Sequence, residues 1–426
     1  MTINPYKGSL LMRKPRRLLF FISAIFLAGC AVNSHSIAAD KSTAPAEQSE
    51  PTEEGFAQWV KDFRSEAAQA GISKSTLDSA LSGLKLNLKV LKSDAYQPEF
   101  VKPIWSYLET AVSDVRVANG RRKYQQHQQL LNTIGNEYGV APQLITAIWG
   151  LETAYGVTFG GYNVIEAFAT LGYHGRRSSF AKQQLIAALQ IIDNGDIPAE
   201  QMIGSWAGAM GHTQFIPASY NERAVDYDKD GKRDIWNSFG DVFASTANYM
   251  KSAKWRVDET WGAAVTLPAG FDWSLADRSV QKLISEWAEL GIKPANATKL
   301  PYSSGEAWIL LPAGHQGPAF LALPNFRSIM RYNNSTAYAL GISMLSDRIA
   351  GGEPQSYNWP TSLQALSRQQ SKELQQLLTE TGFDTEGVDG ILGANSRKAL
   401  RAWQIKVGLV PDAFATLEQL ELLRKQ

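Results

Sequence analysis

Glu152 lies in the segment IWGLETAYG, near the end of a stretch of helical periodicity that opens at Pro142. Counting back along that helix puts Ile148, Ile145 and Leu144 on the same face, so the carboxyl group sits among aliphatic side chains. An unpaired charge is costly there, and burial makes a carboxyl hold its proton to higher pH. A carboxyl protonated near neutrality is what a general acid needs. The structural alternative is a helix-end Glu bonded to nearby backbone.

A second cluster of chemistry-bearing residues is DYDKDGKRDIWN, 226–237. Asp226, Asp228, Asp230 and Asp234 stand at positions 1, 3, 5 and 9, with Gly231 at 6 and Lys232 offering a carbonyl at 7. This is the ligand spacing of an EF-hand loop. Asn237 occupies position 12, where a bidentate Glu is expected, and Asp241 is the candidate substitute. If a metal binds, the oxygen ligands select calcium in a structural role; a solvated Asp/Gly turn is the alternative. Zinc is disfavoured, because the chain has one cysteine and five histidines, none paired at ligand spacing.

Several elements must position these groups. Helical patterning covers 56–71, 104–117, 124–138, 142–155, 180–192 and 239–252. Short apolar runs at 263–267, 307–311 and 319–323, bounded by Gly and Pro, read as a few strands, with a helix over 279–290 between them. The expected fold is mainly α (α+β): a large multi-helix domain over 53–350 with a small β-containing lobe, a linker at 351–361, and a small helical unit over 362–426.

The first thirty residues read as an export signal. Lys7, Arg13, Lys14, Arg16 and Arg17 form a basic region ahead of an apolar run, 18–28, too short to span a bilayer comfortably. Met12 opens a complete basic region by itself. The run ends in LAGC, which resembles a bacterial lipobox with Cys30 as the lipidated residue. Cys30 is the only cysteine, so no intrachain disulfide forms. Residues 31–52, rich in Ser, Ala, Glu and Pro, read as a flexible tether. Without 1–30 the chain holds 37 basic against 41 acidic residues, a balance that gives no reason to expect nucleic acid as a partner.

Segment 205–236 adds GAMGHTQFIPASY, in which small residues flank Gln214, Phe215, Pro217 and Tyr220. Together, E-T-x-Y-G and A-G-A-M-G-x-x-Q-F-x-P-x-S-Y resemble the lytic transglycosylases with a lysozyme-like fold. The spacing, with the Asp-rich loop that follows, is most similar to the membrane-bound lytic murein transglycosylase B family over about 55–350. The resemblance implies that Glu152 is the single catalytic acid/base and that the Ser205 hydroxyl hydrogen-bonds its carboxyl. It also implies that Gln214, Tyr249, Tyr332 and Asn333 line the glycan groove and that Arg176 and Arg177 form a basic pair facing substrate.

The implied reaction cleaves the bond between N-acetylmuramic acid and N-acetylglucosamine and leaves 1,6-anhydromuramic ends. It needs no cofactor, calcium being confined to the structural role open to the Asp-rich loop, and the expected state is a monomer. The alternatives are a hydrolytic muramidase on the same fold and a non-catalytic wall-binding lipoprotein. At the C-terminus, G-V-D-G, Gly393, Ser396 and Trp403–Gln404 resemble the three-helix peptidoglycan-binding type 1 domain. A lipid at Cys30 implies attachment to the periplasmic face of the outer membrane.

Overall fold

Four of the helices that build the site start on a side-chain cap. Ser113, Asn163, Ser238 and Ser335 accept the amides of Arg116, Glu166, Asp241 and Tyr338, opening helices Asp114–Gln126, Val164–His174, Phe239–Ser252 and Thr336–Ile349. Helix Pro142–Thr153 starts instead on Pro142, whose missing N–H has no partner to lose at that position. The computed structural model describes residues 50–96, 102–297 and 299–426. The signal segment, Cys30 and nearly all of the tether lie outside the described residues.

Caps also explain where the sequence reading joined too much. The expected helix over 104–117 is two, Ile104–Ala111 and Asp114–Gln126, because Ser113 starts the second. The pattern over 124–138 is interrupted at His127, where helix Gln128–Tyr138 begins. The helix expected over 279–290 is only Ile284–Glu289. Helices Val164–His174, Pro324–Tyr332 and Thr336–Ile349 were absent from the periodicity reading.

Two helical cores flank the site. One gathers Trp149, Phe243, Phe326 and Leu340; the other gathers Phe56, Phe168, Leu185 and Tyr220. Helix Pro142–Thr153 buries every residue from Leu144 to Gly150, so it is apolar nearly all round, as a central helix must be. Fully burying one such aliphatic side chain contributes roughly 1.5–3 kcal/mol. Helix Thr336–Ile349 packs along it.

The small lobe is a four-stranded antiparallel sheet in the order Lys293–Pro294, Gly262–Thr266, Ala319–Ala322, Trp308–Leu310. Gly262 stands opposite Ala322, and Trp308 pairs the same residue from the other side. Stretch 351–361 lies against the protein: Tyr357 and Trp359 pack on Phe320, and Trp359 also meets Trp105.

Helices Arg368–Glu380, Ala394–Lys406 and Leu417–Leu423 form the C-terminal unit around buried Trp403 and Leu374. Gly390, at φ +77°, turns the chain where a Cβ would meet Arg368, and the Asp389 carboxylate accepts the Ile391 amide at 2.8 Å. This unit is docked on the small lobe. Arg401 pairs with Asp277 and donates to the Ala276 carbonyl at 2.8 Å, while the Asp412 carboxylate accepts the His315 amide at 2.9 Å. Among the described residues, no helix is long and apolar enough to cross a membrane.

Candidate active site

Glu152 is the penultimate residue of its helix, and Leu144, Ile145 and Ile148 behind it are buried, as the periodicity predicts. The residue keeps partial exposure along its length, yet burial of its carboxyl pushes the pKa up to about 7, against an opposing hydrogen bond from Tyr338. That bond runs from the Tyr338 hydroxyl to Glu152 Oε1 at 2.6 Å. Among the described residues, no carboxylate contributes to the shift. Glu166, fourteen positions on in sequence, accepts instead from Asn87 Nδ2 at 2.7 Å.

Three tyrosines surround the acid. Glu152's charge raises the phenol pKa values of Tyr107, Tyr332 and Tyr338, each already raised mainly by burial. Tyr332 stacks near-parallel on Tyr338, with centroids 6.4 Å apart, and Tyr249 lies 4.6 Å from Tyr332. The hydroxyl of Tyr332 donates to the Thr213 carbonyl at 2.5 Å and that of Tyr249 to the Arg331 carbonyl at 2.7 Å. Asn333 ends helix Pro324–Tyr332, and its Oδ1 is buried with no hydrogen-bond partner. An acceptor left this way costs about 1–3 kcal/mol, which a ligand N–H would recover.

The turn after Glu152 is held tightly. Ala154 and Tyr155 are both left-handed, at φ +51° and +62°, which costs roughly 1–2 kcal/mol for each non-glycine residue. The Thr153 hydroxyl donates to the His212 carbonyl at 2.8 Å and accepts the Gly156 amide at 3.1 Å. Trp149 Nε1 donates to His212 Nδ1 at 2.8 Å; burial pushes that imidazole down to about 4, so it stays a neutral acceptor.

Gln214, beyond His212, has φ +53° and donates its amide to the Gly211 carbonyl at 3.0 Å. The glycines of this segment admit protein: a Cβ on Gly208 would lie 2.1 Å from the Phe168 ring.

Three of the implied residues hold other partners in the structure. The Ser205 hydroxyl accepts the Ala209 amide at 3.1 Å inside its own turn, and the bond to Glu152 Oε1 comes from Tyr338. Arg176 is committed to Asp94, with its amide, Nε and Nη2 all donating to that carboxylate, while Arg177 lies over the Phe180 ring. Tyr338 and Tyr107 were missed. Their signal is faint, since Tyr338 reaches Glu152 across 186 residues of chain.

In the Asp-rich loop, carboxylate oxygens of Asp226, Asp228 and Asp230 lie within 4.8 Å of one another. Asp226 Oδ1 is buried and without a hydrogen-bond partner, as a cation ligand would be. The donor set suits a hard divalent cation. Asp241 is not part of it: fully buried, it accepts the amides of Tyr227 and Asp234, each at 2.7 Å. Asp234 also turns inward, accepting the amides of Trp236 and Asn237. These bonds shape the loop backbone, and the Ile235 carbonyl accepts the His212 amide at 3.0 Å, tying the loop to the Gln214 turn.

Residues 55–347, which hold this proton-holding Glu, its tyrosine wall and the strained E-T-A-Y-G turn, match a known family described as the transglycosylase SLT domain. The chain belongs to that family. Residues 367–423 of this transglycosylase-family chain match the putative peptidoglycan binding domain. It is 33% identical over 251 residues to membrane-bound lytic murein transglycosylase B of Escherichia coli (strain K12), covering 57% of this chain and 66% of that protein.

Its fold is similar to SltB3 from Pseudomonas aeruginosa, solved in complex with NAG-anhNAM-pentapeptide, with TM-score 0.84 and 49% identity over 87% of this chain and 99% of that one. It is also similar to the Escherichia coli lytic transglycosylase Slt35 in complex with calcium, with TM-score 0.56 and 29% identity over 70% and 93% of the two chains.

Proposed function

We propose that the chain is a lytic transglycosylase cleaving the β-1,4 bond between N-acetylmuramic acid and N-acetylglucosamine of peptidoglycan. The observation that carries this is a carboxyl with a pKa near 7 on which, among the described residues, no second carboxylate acts. Most glycosidases that use water as the acceptor employ two. Protonated Glu152 gives its proton to the bridging oxygen as the C1–O4 bond breaks. The substrate's N-acetyl carbonyl steadies the positive centre at C1. Glu152, now ionised and hydrogen-bonded by Tyr338, accepts the C6 hydroxyl proton as O6 closes on C1. No water is consumed, and the 1,6-anhydro end forms. The unpartnered Asn333 Oδ1 suits an acetamido N–H, and Gln214, Tyr249 and Tyr332 suit the glycan beside it. Mass spectrometry of digested murein tests the reading: anhydro ends, lighter by one water than reducing ends, are expected. Reducing muramic ends would favour the hydrolytic muramidase.

The peptidoglycan-binding unit raises the local concentration of substrate for the domain it is docked to. Lipid on Cys30 would hold both at the periplasmic face of the outer membrane, with 31–52 as the tether. Calcium in the Asp-rich loop, held by Asp226, Asp228, Asp230 and the Lys232 carbonyl, would neutralise the clustered carboxylates and stiffen the loop beside Gln214. Calcium at about 100 times its Kd should raise the melting temperature by about 5 °C. The double change Asp226→Asn, Asp228→Asn should remove that rise; an unchanged melting curve with calcium in the unmodified protein would refute the site.

A further inference from the structure

The helix end and turn around Glu152 are gripped from helix Asp114–Gln126 in two directions. Arg116 Nη1 donates to the Gly150 carbonyl at 2.9 Å, and the Tyr155 hydroxyl donates to the Arg116 carbonyl at 2.9 Å. Each residue's side chain therefore holds the other segment's backbone. Two glycines make room for the ring between them: a Cβ on Gly120 would lie 2.4 Å from the Tyr155 hydroxyl, and one on Gly150 would lie 2.4 Å from the ring's Cζ. Tyr155 also sits in the left-handed region, which a bulky residue adopts only when its surroundings enforce it. Among the described residues no acid pairs with Arg116, and its Nε is buried without a hydrogen-bond partner. Its charge is met by the Gly150 carbonyl near the C-terminal end of the Glu152 helix, where a cation is favoured.

We propose that Tyr155 and Arg116 form a reciprocal clamp that fixes the Glu152 turn in its reactive position, making both residues positioning residues for the reaction. This rests on the transglycosylase reading. The clamp acts through placement: the acid must meet first the bridging oxygen and then the C6 hydroxyl, and a shift of about 1 Å can cost a hundredfold. It also keeps water from the carboxyl. The titratable groups facing Glu152 are Tyr107, Tyr332 and Tyr338, with Arg116 beyond Tyr107. None of these charges changes in Tyr155→Phe, which removes one hydroxyl alone.

The test compares the full chain with Tyr155→Phe, Arg116→Ala and Arg116→Lys on murein, with kcat, KM and the pH–rate profile measured for each. Tyr155→Phe should lower kcat by about ten- to a hundredfold with KM within about twofold. Its alkaline limb should move toward lower pH, because a loosened turn wets the carboxyl and lets the raised pKa fall. Arg116→Lys, keeping the charge and one donor, should recover much of the kcat lost in Arg116→Ala. A kcat and limb equal to the unmodified protein's, corrected for the folded fraction by the melting curve, would overturn the clamp and leave a role in stability only. If Tyr155→Phe does not fold, the two Arg116 variants decide alone: equal loss in both overturns the proposal. The unmodified protein's product ends are scored in the same assay, so failure of the transglycosylase reading is seen separately.

Discussion

Glu152→Gln should leave a folded, murein-binding protein whose turnover has fallen by about 10⁴-fold or more, since one group supplies both proton transfers and each contributes about 10²–10⁴. A murein gel zymogram with a pull-down on insoluble wall reads both properties. Substantial clearing by the variant would remove Glu152 from the mechanism. The same change has a signature in stability. The folded carboxyl titrates near 7 and the unfolded one near 4.5, so between these values the folded state binds the extra proton. The native protein's stability from this group is therefore fully present below about 4.5 and is lost as pH rises through 7. Gln does not titrate. Relative to the native protein, the variant should gain roughly 2–3 kcal/mol between pH 5 and pH 8. Urea midpoints at the two pH values measure this; a constant difference would mean that the carboxyl is not held protonated by the fold.

The second large effect is expected at Tyr338. Its hydroxyl bonds Glu152 and lowers a pKa that burial raises. In Tyr338→Phe the opposing influence is gone, so the carboxyl should titrate higher and the alkaline limb of the rate profile should move up in pH. Turnover should fall by about ten- to a hundredfold at neutrality, because the carboxylate formed after the first transfer loses a hydrogen bond of roughly 1.5–3 kcal/mol. The limb moves opposite to that expected for Tyr155→Phe. The two variants thus separate a group that stabilises the ionised acid from one that fixes its place. An unmoved or acid-shifted limb in Tyr338→Phe would show that the hydroxyl does not act on the acid.

Glu152 was legible because the information is local. A 3.6-residue period fixes which side chains share its face, and Ile148, Ile145 and Leu144 alone specify an apolar wall. Asp226, Asp228 and Asp230 were legible for the same reason, since their spacing within one short loop brings their oxygens together. The helix that carries Glu152, with Pro142 at its start, follows from the chain.

Only the tertiary structure decided what touches the carboxyl. Ser205 and Tyr338 are both hydroxyls far from Glu152 in sequence, and the competition for its carboxyl is decided by which one the packing brings within reach. Ser205 accepts the Ala209 amide in its own turn, whereas helix Thr336–Ile349, packed along the Glu152 helix, delivers Tyr338 to the carboxyl. The same competition took Arg176 to Asp94 and Asp241 to two backbone amides. Periodicity specifies a face, but a polar side chain's partner depends on which donors and acceptors the packed helices leave unsatisfied beside it.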